Sequence, residues 1–352
     1  MFDTLLAWVA LVEGLGIFVL AGLMLIHGVG LSLLEKHSRR RVERARARLL
    51  DILEAEDVTE KVPEKRLEDL RALTRGQQIL LFSQIIPNLK GSRRNTLTRL
   101  AGDIGLTNRA EGLCKSRFWW RRLQGIRLFT LLDSGEDIVP GLLKDFHPAV
   151  RCQAVEWAAA HPTTPVIDSL LKMLENRRDP ARFSIQDSLL RMGYPAAAPL
   201  RAALDSSTAS NLVSVLEVAI GLASPQFLAP ALDLRSNQEP AVRTLAAKLL
   251  GALGGGEATE VLTGMLSDQD PQVRQAAAAA LGNLGHWPAA TALAGLLRDS
   301  VWGVRREAGL ALRNFGAPGH LILRHSLGDE WAPAAEMAKQ VLDIPNQAEP
   351  AF

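Results

Sequence analysis

Few residues of this 352-residue sequence have the types and spacing that chemistry requires. The glycines of GALGGGEA (251–258) give a G-x-x-x-x-G pattern, but Glu257 stands where a phosphate-binding loop needs Lys. A carboxylate there repels phosphate, so the segment reads as a turn between helices. His320 and His325 are five residues apart, a poor separation for two metal ligands on one helix face. Cys114 and Cys152 have no CxxC spacing and no obvious His partner. No Ser-centred nucleophile elbow occurs. No catalytic residue, cofactor or metal is expected, and the chain reads as a non-enzyme.

What the sequence does carry is a repeat. NQEPAVRTLAAKLLGALG (237–254), DQDPQVRQAAAAALGNLG (268–285) and DSVWGVRREAGLALRNFG (299–316) align without gaps, their starts 31 residues apart. DFHPAVRCQAVEWAAAHP (145–162) and NRRDPARFSIQDSLLRMG (176–193) keep the register. Fainter copies begin near Asn88, with Arg94 and Gly105, and near Ser116, with Arg122; degenerate ones near Ser206 and Asp329 lack the Arg. About nine units then span roughly residues 75–344.

Each unit holds two apolar-periodic helical runs and a turn, as in PAATALAGLLRDS (288–300) followed by WGVRREAGLALRNFG (302–316). Gly285 and Gly316 lie where left-handed helix ends are expected, and Pro288 and Pro318 follow as breakers. One such pair cannot bury its own apolar face, so the pairs must stack into an all-α solenoid. Arg151, Arg182, Arg243, Arg274 and Arg305 recur at one place in the unit. Repetition in unit after unit is what a structural role predicts. Each is expected to pair with an acid opening its own turn, as Asp268 or Asp270 could with Arg274.

The D-x-x-P-x-V-R-x-x-A-x-x-x-L-G-x-L pattern resembles the short HEAT-like repeats, also called PBS-lyase HEAT-like repeats. The match is strong over 237–316 and weak around 206–224 and 329–344. The resemblance implies an α-α superhelix used mainly for protein–protein contact, and no one reaction. It also leaves open a bilin lyase-like enzyme, while the basic residues of 90–127 leave open a nucleic-acid-binding solenoid.

Ahead of the repeats, residues 5–34 form an apolar run whose only ionisable groups are Glu13 and His27. About 20 apolar residues suffice to cross a bilayer, so this stretch reads as an uncleaved, single-pass anchor. No Lys or Arg precedes it and seven follow within residues 35–48. That bias places the N-terminus outside and the solenoid in the cytoplasm, at the inner or plasma membrane. Ala10, Glu13, Gly14, Ala21 and Gly28 recur at helical spacing. They form a candidate docking face for another transmembrane helix or for a second copy, the alternative being ordinary membrane-helix composition. The divisions are thus an anchor (1–34), a basic helix with an acidic linker (35–63), the solenoid (64–344) and a tail (345–352).

The formal charge of +2 hides this layout: residues 71–127 carry twelve basic and two acidic side chains. Within them KSRFWWRRLQGIR (115–127) sets Arg117, Arg121 and Arg122 around Trp119 and Trp120. Three readings stay open for these five residues: contact with the cytoplasmic leaflet, contact with an acidic protein, or repeat packing with the Trp side chains buried. The function expected is a membrane-anchored cytoplasmic scaffold for a membrane-associated protein partner, for example an enzyme of envelope polysaccharide synthesis. No nucleic-acid partner is expected.

Overall fold

The computed structural model describes residues 39–53, 64–89, 91–176, 179–206 and 209–345. The 5–34 run, with Ala10, Glu13, Gly14, Ala21 and Gly28, lies outside the described residues, as do 54–63 and 346–352. Among the described residues all regular structure is helical, and no helix is long and apolar enough to cross a membrane.

The chain divides into two compact units, residues 1–138 and 139–352. The first holds α1 (39–53), α2 (Glu64–Arg71), α3 (Arg75–Ile85), α4 (Ser92–Asp103), α5 (Leu106–Cys114) and α6 (Trp119–Leu132). The Arg-rich stretch of α1 is helical, as its good helix formers suggest, and it buries Ala45, Leu49 and Ile52 at i, i+4 and i+7. Thr74 and Gln77 close a capping box at the start of α3. Arg71 and Arg75 donate to the backbone oxygens of Asp103 and Ile104, each at 2.9 Å, which ties the α2–α3 corner to the end of α4. Gly125 lets α6 close on α5, since a Cβ there would stand 2.5 Å from Cys114 Sγ.

The second unit runs α7 (Val139–Leu142), α8 (Pro148–Ala158), α9 (Thr164–Leu174), α10 (Arg182–Met192), α11 (Tyr194–Ser206), α12 (Ala209–Leu222) and α13 (Leu228–Asp233). It continues with α14 (Pro240–Leu253), α15 (Gly256–Met265), α16 (Pro271–Asn283), α17 (Ala290–Leu296), α18 (Trp302–Asn314), α19 (Ala317–His325) and α20 (Ala332–Asp343). These are seven helix pairs. The second helices stack in order, α8 on α10, then α12, α14, α16, α18 and α20, and each packs on its own first helix.

The local reasons repeat from pair to pair. Pro opens α8, α14 and α16, where its missing N–H costs nothing, and Asp270 caps α16 by accepting from the Gln272 N–H at 2.8 Å. Gly254, Gly285 and Gly316 take φ of +69°, +64° and +71° at helix ends, values that favour glycine, but ψ of −163° at Gly254 and −143° at Gly316 makes these two extended and not the left-handed cap expected at Gly316. The core between layers is mostly Leu, Val and Ala, with Trp157 and Phe227 fully buried. Small residues set the spacing: a Cβ on Gly282 of α16 would come within 2.6 Å of Ala311 of α18, so the two helices are nearly in backbone contact.

Candidate interaction surface

The repeated arginines are placed by the helices that carry them. Arg122, Arg151, Arg243, Arg274 and Arg305 each lie three residues into a second helix, α6, α8, α14, α16 or α18. In all five, Nη1 donates to two carbonyl oxygens of the preceding loop; for Arg274 these are Asp268 O at 2.8 Å and Gln269 O at 3.0 Å. The same guanidinium then reaches forward. Arg243 grips Asp268 through Nε (2.8 Å) and Nη2 (2.7 Å), and Arg274 grips Asp299 through Nε (2.8 Å) and Nη2 (3.0 Å). Arg151 reaches Asp179 at 3.1 Å. The acid therefore belongs to the next turn, not to the arginine's own. The own-turn acid is out of reach because its carboxylate is already folded back: Asp268 Oδ1 accepts the Asp270 N–H at 2.8 Å.

The Arg243 hydrogen bonds hold the Asp268 carboxyl below the usual carboxylate range, against a smaller push from burial. At Asp299 burial is the largest influence and pushes upward, but the Arg274 hydrogen bond, the Val301 N–H and the Arg274 and Arg305 charges together carry it below normal. Arg305 faces the Trp331 ring at 5.3 Å, while Asp329 is taken by Arg298 at 2.9 Å. Asn237, with no charge, opens the turn that follows the unit lacking an arginine, where Leu212 is buried in its place.

Arg182 departs from the series. Asp179 makes the turn-opening contact to the Ala181 N–H at 2.9 Å, and the place six residues on is held by buried Ile185. Arg182 is instead the first residue of α10, and it pairs with Glu217 of α12 at 2.8 Å. The sequence register is off by three residues here. A slip of three is close to one helical turn, so the Leu and Ala pattern survives it.

The basic aromatic block also separates into parts. Arg122 is only 6% exposed and is turned into its own loop, so it leaves the candidate contact surface and joins the structural arginines. Trp119 and Trp120 are 37% and 46% exposed, which removes the reading with both buried. Phe118 stacks on Trp120 at 4.6 Å, and the Arg117 and Arg121 guanidinium carbons lie 4.6 and 5.6 Å from the Phe118 ring centre.

In the second unit the most exposed large apolar side chains are ones the sequence reading passed over. Phe183 is 82% exposed and Tyr194 80%, with Leu190 partly exposed between them. Phe183, Asp187 and Leu190 fall four and then three residues apart on the outer face of α10, and Tyr194 follows the Gly193 turn. Counted from the helix start, the places matching Phe183 are Ala149, Ala241, Gln272 and Gly303. An aromatic where these units of the second half keep small or polar residues was the available signal, hidden by the three-residue slip; in the first unit Trp120 of α6 holds the same place. Ion pairs flank this face, Arg191 with Glu156 at 2.7 Å and Arg182 with Glu217 at 2.8 Å, and Gln186 Nε2 also donates to Glu217 at 2.6 Å. Among the described residues no group of His, Cys, Asp and Glu is arranged to hold a metal ion.

Residues 225–319 match the sequence family described as HEAT repeats. The match falls where the helix pairs and the Arg–Asp contacts are most regular. No curated protein matches the chain. Among solved structures, Kap121p bound to Nup53p is similar at 13% identity with a TM-score of 0.54, covering 84% of this chain and 41% of that one. A mutant Kap121p gives 12% and 0.55 over 85% and 41%, and the karyopherin Kap121p bound to the SUMO protease Ulp1p gives 13% and 0.54 over 85% and 41%. This chain spans about two fifths of the length of those chains. At such identities the likeness is one of fold: stacked helix pairs.

Proposed function

We propose that this protein is a membrane-anchored adaptor whose HEAT-repeat helices hold a protein partner. The observation that carries the reading is the outer face of α10 with the start of α11, where Phe183 and Tyr194 stand in water beside partly exposed Leu190, rimmed by ion pairs. Apolar anchors inside a polar rim are the usual make-up of an interface, and a few such side chains supply most of its affinity. A stacked-helix array offers a broad, stiff surface, so its own side chains need supply no reaction. Kap121p, of similar fold, has been solved with Nup53p, Ste12p and Ulp1p bound, which illustrates this use.

In this reading residues 1–34 anchor the chain in the inner or plasma membrane, and the Arg-rich stretch after them keeps the repeats on the cytoplasmic side. The stripe from Ala10 to Gly28, with Glu13, meets a partner's transmembrane helix or a second copy. The client is then a membrane-associated protein, of which an enzyme of envelope polysaccharide synthesis is one class. The test is crosslinking in native membranes followed by mass spectrometry, on the full chain, on a chain lacking 1–34, and on Phe183→Ala/Tyr194→Ala. Both unmutated forms should capture the same client and the double variant should lose it at unchanged thermal stability. Equal capture by the double variant would move the interface off α10.

A further inference from the structure

We infer that the Arg117–Arg121 face of α6 seats on an anionic lipid surface. The inference rests on the anchoring reading above for its geometry, and on the first unit for its chemistry.

Five aromatic and cationic groups form one cluster at the start of α6. Phe118 meets Trp120, Arg117 and Arg121, and Trp119 meets Trp120 edge-on, 6.1 Å between centres. The cluster is exposed although it could have been buried: Arg117, Trp119, Trp120 and Arg121 all face solvent, while Ile126 and Phe129 of the same helix fill the core. The two indoles, 37% and 46% exposed, leave apolar surface beside the arginines that a further contact can cover.

The composition of the surroundings favours lipid over an acidic protein. Positive charge extends well past the cluster, to exposed Arg93 and Arg109 on α4 and α5 and to Arg127 two turns along α6. The acids of this stretch are Asp103 and Glu111, and Glu111 is paired with Lys115. Charge spread over three helices suits many mobile anions better than one fixed carboxylate pattern. Arg adds bidentate hydrogen bonding to phosphate, and Trp adds a ring whose apolar body and polar N–H match the headgroup level. Each basic side chain near such a surface adds to the attraction, which decays within a Debye length. An anchor in the same chain keeps the unit within that range, so a weak contact is occupied for much of the time.

The experiment uses the full chain carrying Trp8→Phe, so that the N-terminal indole does not report. It is reconstituted into phosphatidylcholine vesicles with or without phosphatidylglycerol, both containing a lipid brominated near the headgroup. Quenching of Trp emission should be severalfold stronger with phosphatidylglycerol. Trp119→Phe/Trp120→Phe should abolish that increment, and Arg117→Glu/Arg121→Glu should remove its dependence on phosphatidylglycerol, each with an unchanged helical spectrum and melting curve. Quenching that ignores phosphatidylglycerol, or that persists without both indoles, would overturn the inference. So would loss of a crosslinked acidic protein from the Glu variant while its quenching stays intact. Flotation with pure phosphatidylcholine vesicles after alkaline washing reports the anchor separately. If the anchor fails there, low-salt flotation that requires phosphatidylglycerol and the two arginines still supports the face, and its absence overturns it.

Discussion

Arg274 clasps Asp299 through two hydrogen bonds, 2.8 and 3.0 Å long, and so fastens α16 to the turn that launches α18. Both side chains are largely buried, and a third arm of the guanidinium holds the loop before α16. One residue thus fixes three segments, and Arg243 does the same one repeat earlier. Arg274→Ala leaves the Asp299 carboxylate buried without its counter-charge and frees two carbonyls. We expect a loss of about 2–4 kcal/mol, read by denaturant melts. Asp299→Asn keeps an acceptor for the Val301 N–H and should cost less. Partner capture well below the melting temperature should be unchanged in both, which separates a structural arginine from a contact one.

Acid should attack the same contacts. The Asp268 and Asp299 carboxyls titrate below their unfolded range in the native state. A depressed folded value means that the stabilisation is complete above the unfolded value, near 4, and disappears as pH falls through the folded one. Melting temperature measured from pH 6 to 2 should therefore drop mainly below about pH 4. In Arg243→Ala/Arg274→Ala that acid limb should flatten, since the linkage is removed with the arginines.

The glycines of the α15–α16 pair offer a paired test. At Gly282 a methyl would meet Ala311 at 2.6 Å, part of it backbone, so Gly282→Ala should destabilise by about 1–3 kcal/mol through overpacking. Gly264, inside α15, has nothing within 4 Å of its would-be Cβ. There Gly264→Ala should stabilise by about 0.4–1 kcal/mol by restricting the unfolded chain. Opposite signs from one chemical change would be read directly in thermal melts.

Cys114 gives a prediction independent of the repeats. Burial, with a lesser effect of Glu111, pushes its thiol up to about 12. Only the thiolate attacks alkylating reagents, so at pH 7.5 Cys114 should stay unmodified in the native protein. Cys152, partly exposed on α8, should react first, and both should react in denaturant. Mass spectrometry after iodoacetamide treatment checks this, and early labelling at Cys114 would show that α5 opens away from α6.

Much of the architecture was readable because it is written locally. The 31-residue spacing, the prolines that open α14 and α16, and the glycines that end α14, α16 and α18 each act within a few residues of chain. The repeated arginine could be read as structural for the same reason, since its loop carbonyls lie five and six residues behind it. Its acidic partner could not, because Asp299 is 25 residues ahead and is reached only when the repeats stack.

The sequence by itself determined helices, their pairing and a polarity of charge that concentrates cations in the first unit. The tertiary structure alone decided which side chains face water. It buried Arg122, exposed Trp119, Trp120, Phe183 and Tyr194, and moved Arg182 out of the arginine series onto Glu217. Helical periodicity fixes the face of a side chain relative to its own helix to within about one residue in 3.6. What covers that face depends on neighbouring repeats, and only the folded stack contains them.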